Sequence, residues 1–313
     1  MSRRDAALFV GIAAVWGTAF VATKAALDSF PPVTLAALRF SLAALALFAV
    51  VFALGTRRVP TGRGDWLPIL SGGAFNIGLH HALLFAGQQF VTSAVAATLL
   101  GLVPVATPAF ARLSRHDDSL SATGAVGILV GFLSVALMAR PDPGDLSASV
   151  GAGLVLASAV AWVFGAVFTR EDDATLPPVA LQAWTLLVGA LLLAAAALAL
   201  PGESLGSLAF ASATPKALGW LVYLALIPGA AGFFAYFRLL DRIGPIQAGL
   251  LEYAIPPFAA LFGFFVLEET LDATTVVGFV GVFVAFLFVK ADSIRTALDR
   301  RRNRTTSADS RSD

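Results

Sequence analysis

The 313-residue chain has no cysteine, only three histidines, and charged side chains at just 13% of its positions. The first absence excludes disulfides, thiol chemistry and cysteine-ligated metal. The shortage of charge excludes an ordinary soluble domain, in which roughly 25% of residues are charged because a water-facing surface requires them. No histidine is spaced with carboxylates to complete a metal site, so neither a metal nor another cofactor is expected. The chain also lacks a phosphate-binding Gly-x-x-x-x-Gly-Lys-Ser/Thr loop and a His-Glu-x-x-His segment. ATP use and zinc-hydrolase chemistry therefore find no support, and nothing points to nucleic acid.

What the sequence has instead is apolar length. Hydrophobic residues make up 58% of the chain and the mean hydropathy is +0.83. A helix needs about 20 apolar residues to cross the hydrocarbon core of a bilayer. Ten runs approach that length: 7–27, 34–54, 67–87, 92–111, 121–139, 150–169, 179–200, 217–237, 246–267 and 274–290. The expected fold is an all-α, ten-span integral membrane protein. The first run is too long for the apolar region of a secretory signal and is read as an uncleaved span.

Lys and Arg are retained on the cytoplasmic side during insertion. With the N-terminus placed inside, seventeen of the 21 basic residues fall on the cytoplasmic side, and only Arg140 and Lys216 fall outside. Lys24 and Arg39 lie within apolar runs. Both termini are therefore expected in the cytoplasm of a cell-membrane protein. The segment 296–313, with Arg300-Arg301-Arg302, is expected to be a disordered basic tail able to touch anionic lipid.

The chain also repeats itself. Trp16 precedes Pro31-Pro32-Val33 by the same interval that separates Trp162 from Pro177-Pro178-Val179, and the shift of 146 also pairs Thr23 with Thr169. Further on, Ala94 and Pro104 pair with Ile246 and Pro256, and Gly124 and Gly127 pair with Gly278 and Gly281. These pairings divide the chain into halves at 1–145 and 146–295, each with five spans. Five is odd, so the second half must be threaded in the opposite direction. Inverted repeats of this kind recur in secondary transporters.

Several of these segments resemble the ten-span EamA-type permeases of the drug/metabolite transporter superfamily. The resemblance rests on Ala14-Val-Trp16-Gly17-Thr-Ala-Phe20 with Lys24, on Pro31-Pro32, and on Ala37-Leu-Arg39-Phe40. It rests equally on Ala96-Ala-Thr-Leu-Leu100 with Pro104 and Asp117, and on Ala248-Gly-Leu-Leu251 with Pro256 and Glu269. Asp117 stands where the family usually has Glu, and Ile255 precedes Pro256 where Glu is common. The resemblance implies a secondary permease for small metabolites such as amino acids. It also implies a solute site near midplane between spans 1, 3, 4, 6, 8 and 9. Export driven by a proton or an exchanged solute is the expected direction. A membrane-embedded enzyme and a non-transporting structural protein are the alternatives. A monomer or weak dimer is expected, the Gly127-xxx-Gly131 stripe offering a close helix contact.

Polar side chains within spans are costly and usually face a bundle interior. Glu252 is a candidate ligand for a solute amine or a carrier of a coupling proton. Asn76 and His80 are four residues apart and so share a face in a regular helix, with His81 beside them. These three, together with Trp16, Thr23, Trp162, Tyr236, Gln247 and Tyr253, are the candidate substrate contacts. Pro104 and Pro256 are candidate helix breaks for gating, since interruptions at matching places in two halves point to a transport site. Lys24 and Arg39 are expected near the outer mouth, either snorkelling to the interface or attracting an anionic group.

Overall fold

The computed structural model describes residues 2–56, 59–107, 122–139, 146–168, 174–205, 210 and 213–289. Asp117, Thr169 and the tail from 296 lie outside the described residues. Among the described residues there are ten apolar helices: α1 (Arg3–Leu27), α2 (Pro32–Ala53), α3 (Arg63–Gln88), α4 (Ser93–Thr107), α5 (Ala122–Ala139), α6 (Leu146–Phe168), α7 (Pro178–Ala199), α8 (Pro215–Gly244), α9 (Leu251–Leu267) and α10 (Ala273–Val289). Among the described residues there is no strand. Six helices are long and apolar enough to span a bilayer, and α4, α5, α9 and α10 contain shorter apolar stretches. The molecule is an all-α membrane protein built of two five-helix repeats.

Local sequence explains the helix starts. Ser2 caps α1, accepting from the Asp5 backbone N–H, while Asp5 accepts the Ser2 N–H in return. Pro32 opens α2 and Pro178 opens α7, where a residue without an N–H loses nothing. The matched prolines of the repeat are thus matched helix starts. Thr92 and Thr214 cap α4 and α8 by accepting from the N–H groups of Val95 and Ala217.

The most extensive helix contacts all join one half to the other: α2 with α7, α5 with α10, α1 with α9, and α3 with both α6 and α7. Exchanging each helix for its counterpart five places away turns the α1–α9 contact into α6–α4 and the α2–α8 contact into α7–α3. Both of those contacts are present. The packing therefore follows a pseudo-twofold relation. Large apolar side chains such as Leu198 (75% exposed) and Phe265 (71%) point outward. Such a surface suits lipid and not water.

Close approach at the α5–α10 contact depends on two glycines. A Cβ on Gly127 would lie 2.7 Å from the Ala285 carbonyl oxygen, and one on Gly281 would strike Ser134. Gly131 likewise faces Leu102, Val105 and Ala285 of the same chain. The small-residue stripe is therefore used in packing within the monomer.

Carboxylates tie the halves together at both ends of the bundle. Asp65, at the start of α3, is 1% exposed and accepts the backbone N–H groups of Thr61, Thr175 and Leu176 at 2.7–3.0 Å. Glu203, before α8, accepts the N–H groups of Val33 and Thr34 at the start of α2. Glu269, after α9, accepts the Ser93 N–H at the start of α4. Each satisfies donors that a helix start or its approach leaves without intrahelical partners.

Candidate functional site

Between the halves lies a cavity of about 200 Å³. At roughly 10–15 Å³ per water-sized site, this holds on the order of a dozen such groups, the scale of a small organic solute. Its wall takes Trp16, Phe20 and Thr23 from α1, Arg39 from α2, and His80, His81, Phe85 and Gln88 from α3. Leu100 of α4, Trp162 of α6, and Phe233 and Tyr236 of α8 continue it, and Ala248, Gly249, Glu252 and Ile255 close it at the start of α9.

Two stretches of wider helix shape this wall. Residues Gly72–Leu79 of α3 and Ala225–Ala231 of α8 are π-helical, and these helices occupy matching places in the two halves. A π-helical stretch shifts the hydrogen bonding from four residues to five and so re-phases the face that follows. His80 and His81 come immediately after the first stretch, and Phe233 and Tyr236 follow the second. Trp16 donates its Nε1–H to the Pro228 carbonyl at 3.2 Å, within the α8 stretch, and its ring packs 5.3 Å from Tyr236.

The two histidines are held by carbonyls. His80 Nδ1 lies 2.9 Å from the Ser158 oxygen, and His81 Nδ1 lies 3.1–3.2 Å from those of Asn76 and Ile77. In the neutral rings each Nδ1 is therefore the donor and Nε2 is left as an acceptor. His80 also stacks edge-on against Trp162 at 4.9 Å, and His81 against Phe40 at 4.3 Å.

Of the residues singled out in the sequence, Trp16, Thr23, His80, His81, Trp162, Tyr236 and Glu252 come together on this wall. Asn76 does not. It lies inside the π-helical stretch, so four residues no longer bring it onto the His80 face. Its Nδ2 donates to the Trp162 carbonyl at 2.9 Å, against Gly165, and ties α3 to α6. Tyr253 turns away and packs against Phe286 of α10 at 4.6 Å. Gln247 is exposed on the short turn Pro245–Ala248. Pro104 and Pro256 are absent from the wall. Helical continuity is broken just before Pro104, at Gly101–Leu102, where a proline removes the hydrogen bond to the carbonyl four residues back. Pro256 lies inside the continuous α9, which begins after the turn at Gly249–Leu250.

The two basic residues part company. Lys24 donates its Nζ–H to the Gln88 and Val91 carbonyls at the end of α3, and so satisfies carbonyls there instead of lining the cavity. Arg39 stands in the cavity wall and not at an outer rim. It is 7% exposed, its guanidinium lies 4.8 Å and 5.6 Å from the Phe40 and Phe85 ring centres, and its Nε has no hydrogen-bond partner. Gln88, which carried no signal of its own in the sequence, donates Nε2–H to the Phe20 carbonyl and leaves its buried Oε1 without a partner.

Comparison with known proteins agrees with this architecture. The model of the EamA-like transporter family matches the chain twice, over residues 5–140 and 149–290. An uncharacterized transporter of Archaeoglobus fulgidus is 27% identical over 176 residues, covering 56% of this chain and 61% of that protein. A probable amino-acid metabolite efflux pump of Escherichia coli is 29% identical over 209 residues, covering 65% of this chain and 67% of its own. A crystal structure superposes with a TM-score of 0.63 at 21% identity, covering 93% of this chain and 98% of the other, a likeness of fold.

Proposed function

The chain belongs to the EamA-like transporter family, and from that premise we propose that it is a secondary transporter exporting small organic metabolites, amino acids among them, by alternating access. The observation that supports this reading is the cavity walled by α1–α4 of one repeat and α6, α8 and α9 of the other. Rocking two similar halves about such a site exposes it first to one side and then to the other. The glycine-borne break at Gly249–Leu250 opens directly beside Glu252, where the start of α9 can change direction without disturbing the rest of the helix. A proton or an exchanged solute supplies the driving force in this scheme. The basic-residue distribution supports a cell-membrane location with both termini in the cytoplasm.

The absence of cysteine makes a direct test available. Thr23→Cys and Ala248→Cys place single thiols in the wall, on α1 and beside the α9 break. In sealed vesicles of defined orientation, a membrane-impermeant maleimide should reach both thiols from either face, because the cavity opens to each face in turn. A solute that holds the chain in one state should raise labelling from one face and lower it from the other. Labelling rates from the two faces that rise and fall together would indicate an open channel, and protection of both thiols from either face would remove the cavity as a pathway.

A further inference from the structure

The cavity holds a basic and an acidic side chain, Arg39 and Glu252, that no described residue pairs with. Arg39 on α2 is more than nine-tenths buried, its guanidinium lies against the Phe40 and Phe85 rings, and no carboxylate lies within ion-pair distance among the described residues. Glu252 on α9 faces the same cavity and, among the described residues, has neither a hydrogen bond nor an ion pair. They do not pair with each other. Arg39 belongs to the first repeat and Glu252 to the second, so the cavity presents one sign of charge from each moving half.

A buried charge without a partner is expensive, and a protein keeps one where a ligand or a water-filled space supplies the missing interaction. Here two unpaired groups, Arg39 buried and Glu252 half-buried, share one space, and much of the remaining wall is aromatic or aliphatic. The guanidinium offers parallel N–H donors suited to the two oxygens of a carboxylate. Glu252 offers an acceptor for an ammonium group. We infer that this cavity takes a zwitterionic ammonium carboxylate with an apolar body, its anionic end on Arg39 and its cationic end on Glu252. This inference rests on the cavity being the transport site, and it adds which end of the solute each repeat holds. Such a solute would link the halves electrostatically while bound, and its release would free them.

The test measures thermal stabilisation of the purified full chain in lipid nanodiscs by matched sets of ligands. The probes are the twenty α-amino acids and the ω-amino acids 4-aminobutyrate, 5-aminopentanoate and 6-aminohexanoate, each beside its decarboxylated amine and its deaminated acid. The zwitterion should bind about tenfold or more tightly than either analogue, because each lost charge-assisted contact is worth at least that factor. Arg39→Gln should erase the advantage of zwitterion over amine, and Glu252→Gln the advantage of zwitterion over acid. Should Arg39→Gln fold poorly, Arg39→Lys keeps the charge without the fork and should weaken zwitterion binding while leaving the preference intact. Equal binding of zwitterion, amine and acid, binding of no zwitterion, or unchanged preference in both neutral variants would overturn the assignment. The thiol-accessibility experiment needs no ligand identity. A chain that alternates access yet prefers no zwitterion refutes the charge assignment alone, and one that fails to alternate refutes the transport reading beneath it.

Discussion

The two halves of the molecule agree in their packing and disagree in their charges. Trp16 and Trp162 occupy matched positions and both face the cavity, as do Leu100 and Glu252 at the shift that aligns Pro104 with Pro256. Arg39 corresponds to Thr185, whose hydroxyl donates to the Leu181 carbonyl of its own helix. One half therefore contributes the cation and the other the anion, against neutral counterparts. The duplicated features, including proline starts, π-helical stretches in α3 and α8, and carboxylate ties, set how the halves fit. In the proposed transport scheme, the features that differ are the ones that would select the solute.

The carboxylate ties give the strongest way to break the comparison. Asp65 of the first half holds the approach to α7, and Glu203 of the second half holds the start of α2. Asp65→Ala leaves three backbone N–H donors without their acceptor in a site closed to water. We expect the folded, monodisperse fraction recovered in detergent to fall several-fold, as roughly 1–2 kcal/mol of lost stability suffices for that. Glu203→Ala should fall less, because Glu203 itself is only half-buried. Size-exclusion profiles of the two variants decide the order, and equal losses would mean that burial does not govern the ties.

The α5–α10 contact offers a gentler comparison. A methyl group on Gly127 meets a backbone carbonyl that cannot move alone, whereas one on Gly281 meets the Ser134 side chain, which can rotate. Gly127→Ala should destabilise by about 1–3 kcal/mol, the usual cost of overpacking, and Gly281→Ala by less. Unfolding temperatures of the purified variants measure the difference.

Removing the charge asymmetry should separate stability from function. Glu252→Leu gives the second half the residue that the first half carries at Leu100. Losing an unpaired carboxylate should leave the unfolding temperature unchanged or higher, while solute counterflow in proteoliposomes falls by at least about tenfold. A variant that loses stability would show that Glu252 has a structural partner.

Much of this organisation is legible in the sequence, for physical reasons. Ten apolar runs must be helices, because a bilayer leaves no other way to satisfy backbone groups short of a closed barrel. Matched prolines and tryptophans expose the repeat because each has a geometric role that tolerates few substitutes. Composition carries no comparable signal for helical phase. Apolar spans lack the polar face that would reveal which side of α3 is inward, and nothing in Gly72–Leu79 advertises a π-helical stretch. The displaced Asn76 and the inward Arg39 both follow from that gap. So does Gln88, which reads as an ordinary polar residue near a helix end until packing brings Phe20 against it.

Asn76 supplies the smallest effect and a clean distinction. If it acted on solute, Asn76→Ala would reduce transport as severely as a change at Glu252. Its hydrogen bond to the Trp162 carbonyl instead makes it a tie between α3 and α6. Interhelical hydrogen bonds in a membrane protein average about 0.6 kcal/mol, because the separated helices find other partners. We therefore expect a small fall in unfolding temperature with counterflow and ligand preference unchanged. A tenfold loss of counterflow at preserved stability would return Asn76 to the solute site, and would mean that the π-helical stretch re-phases during the cycle and brings this side chain round to the cavity.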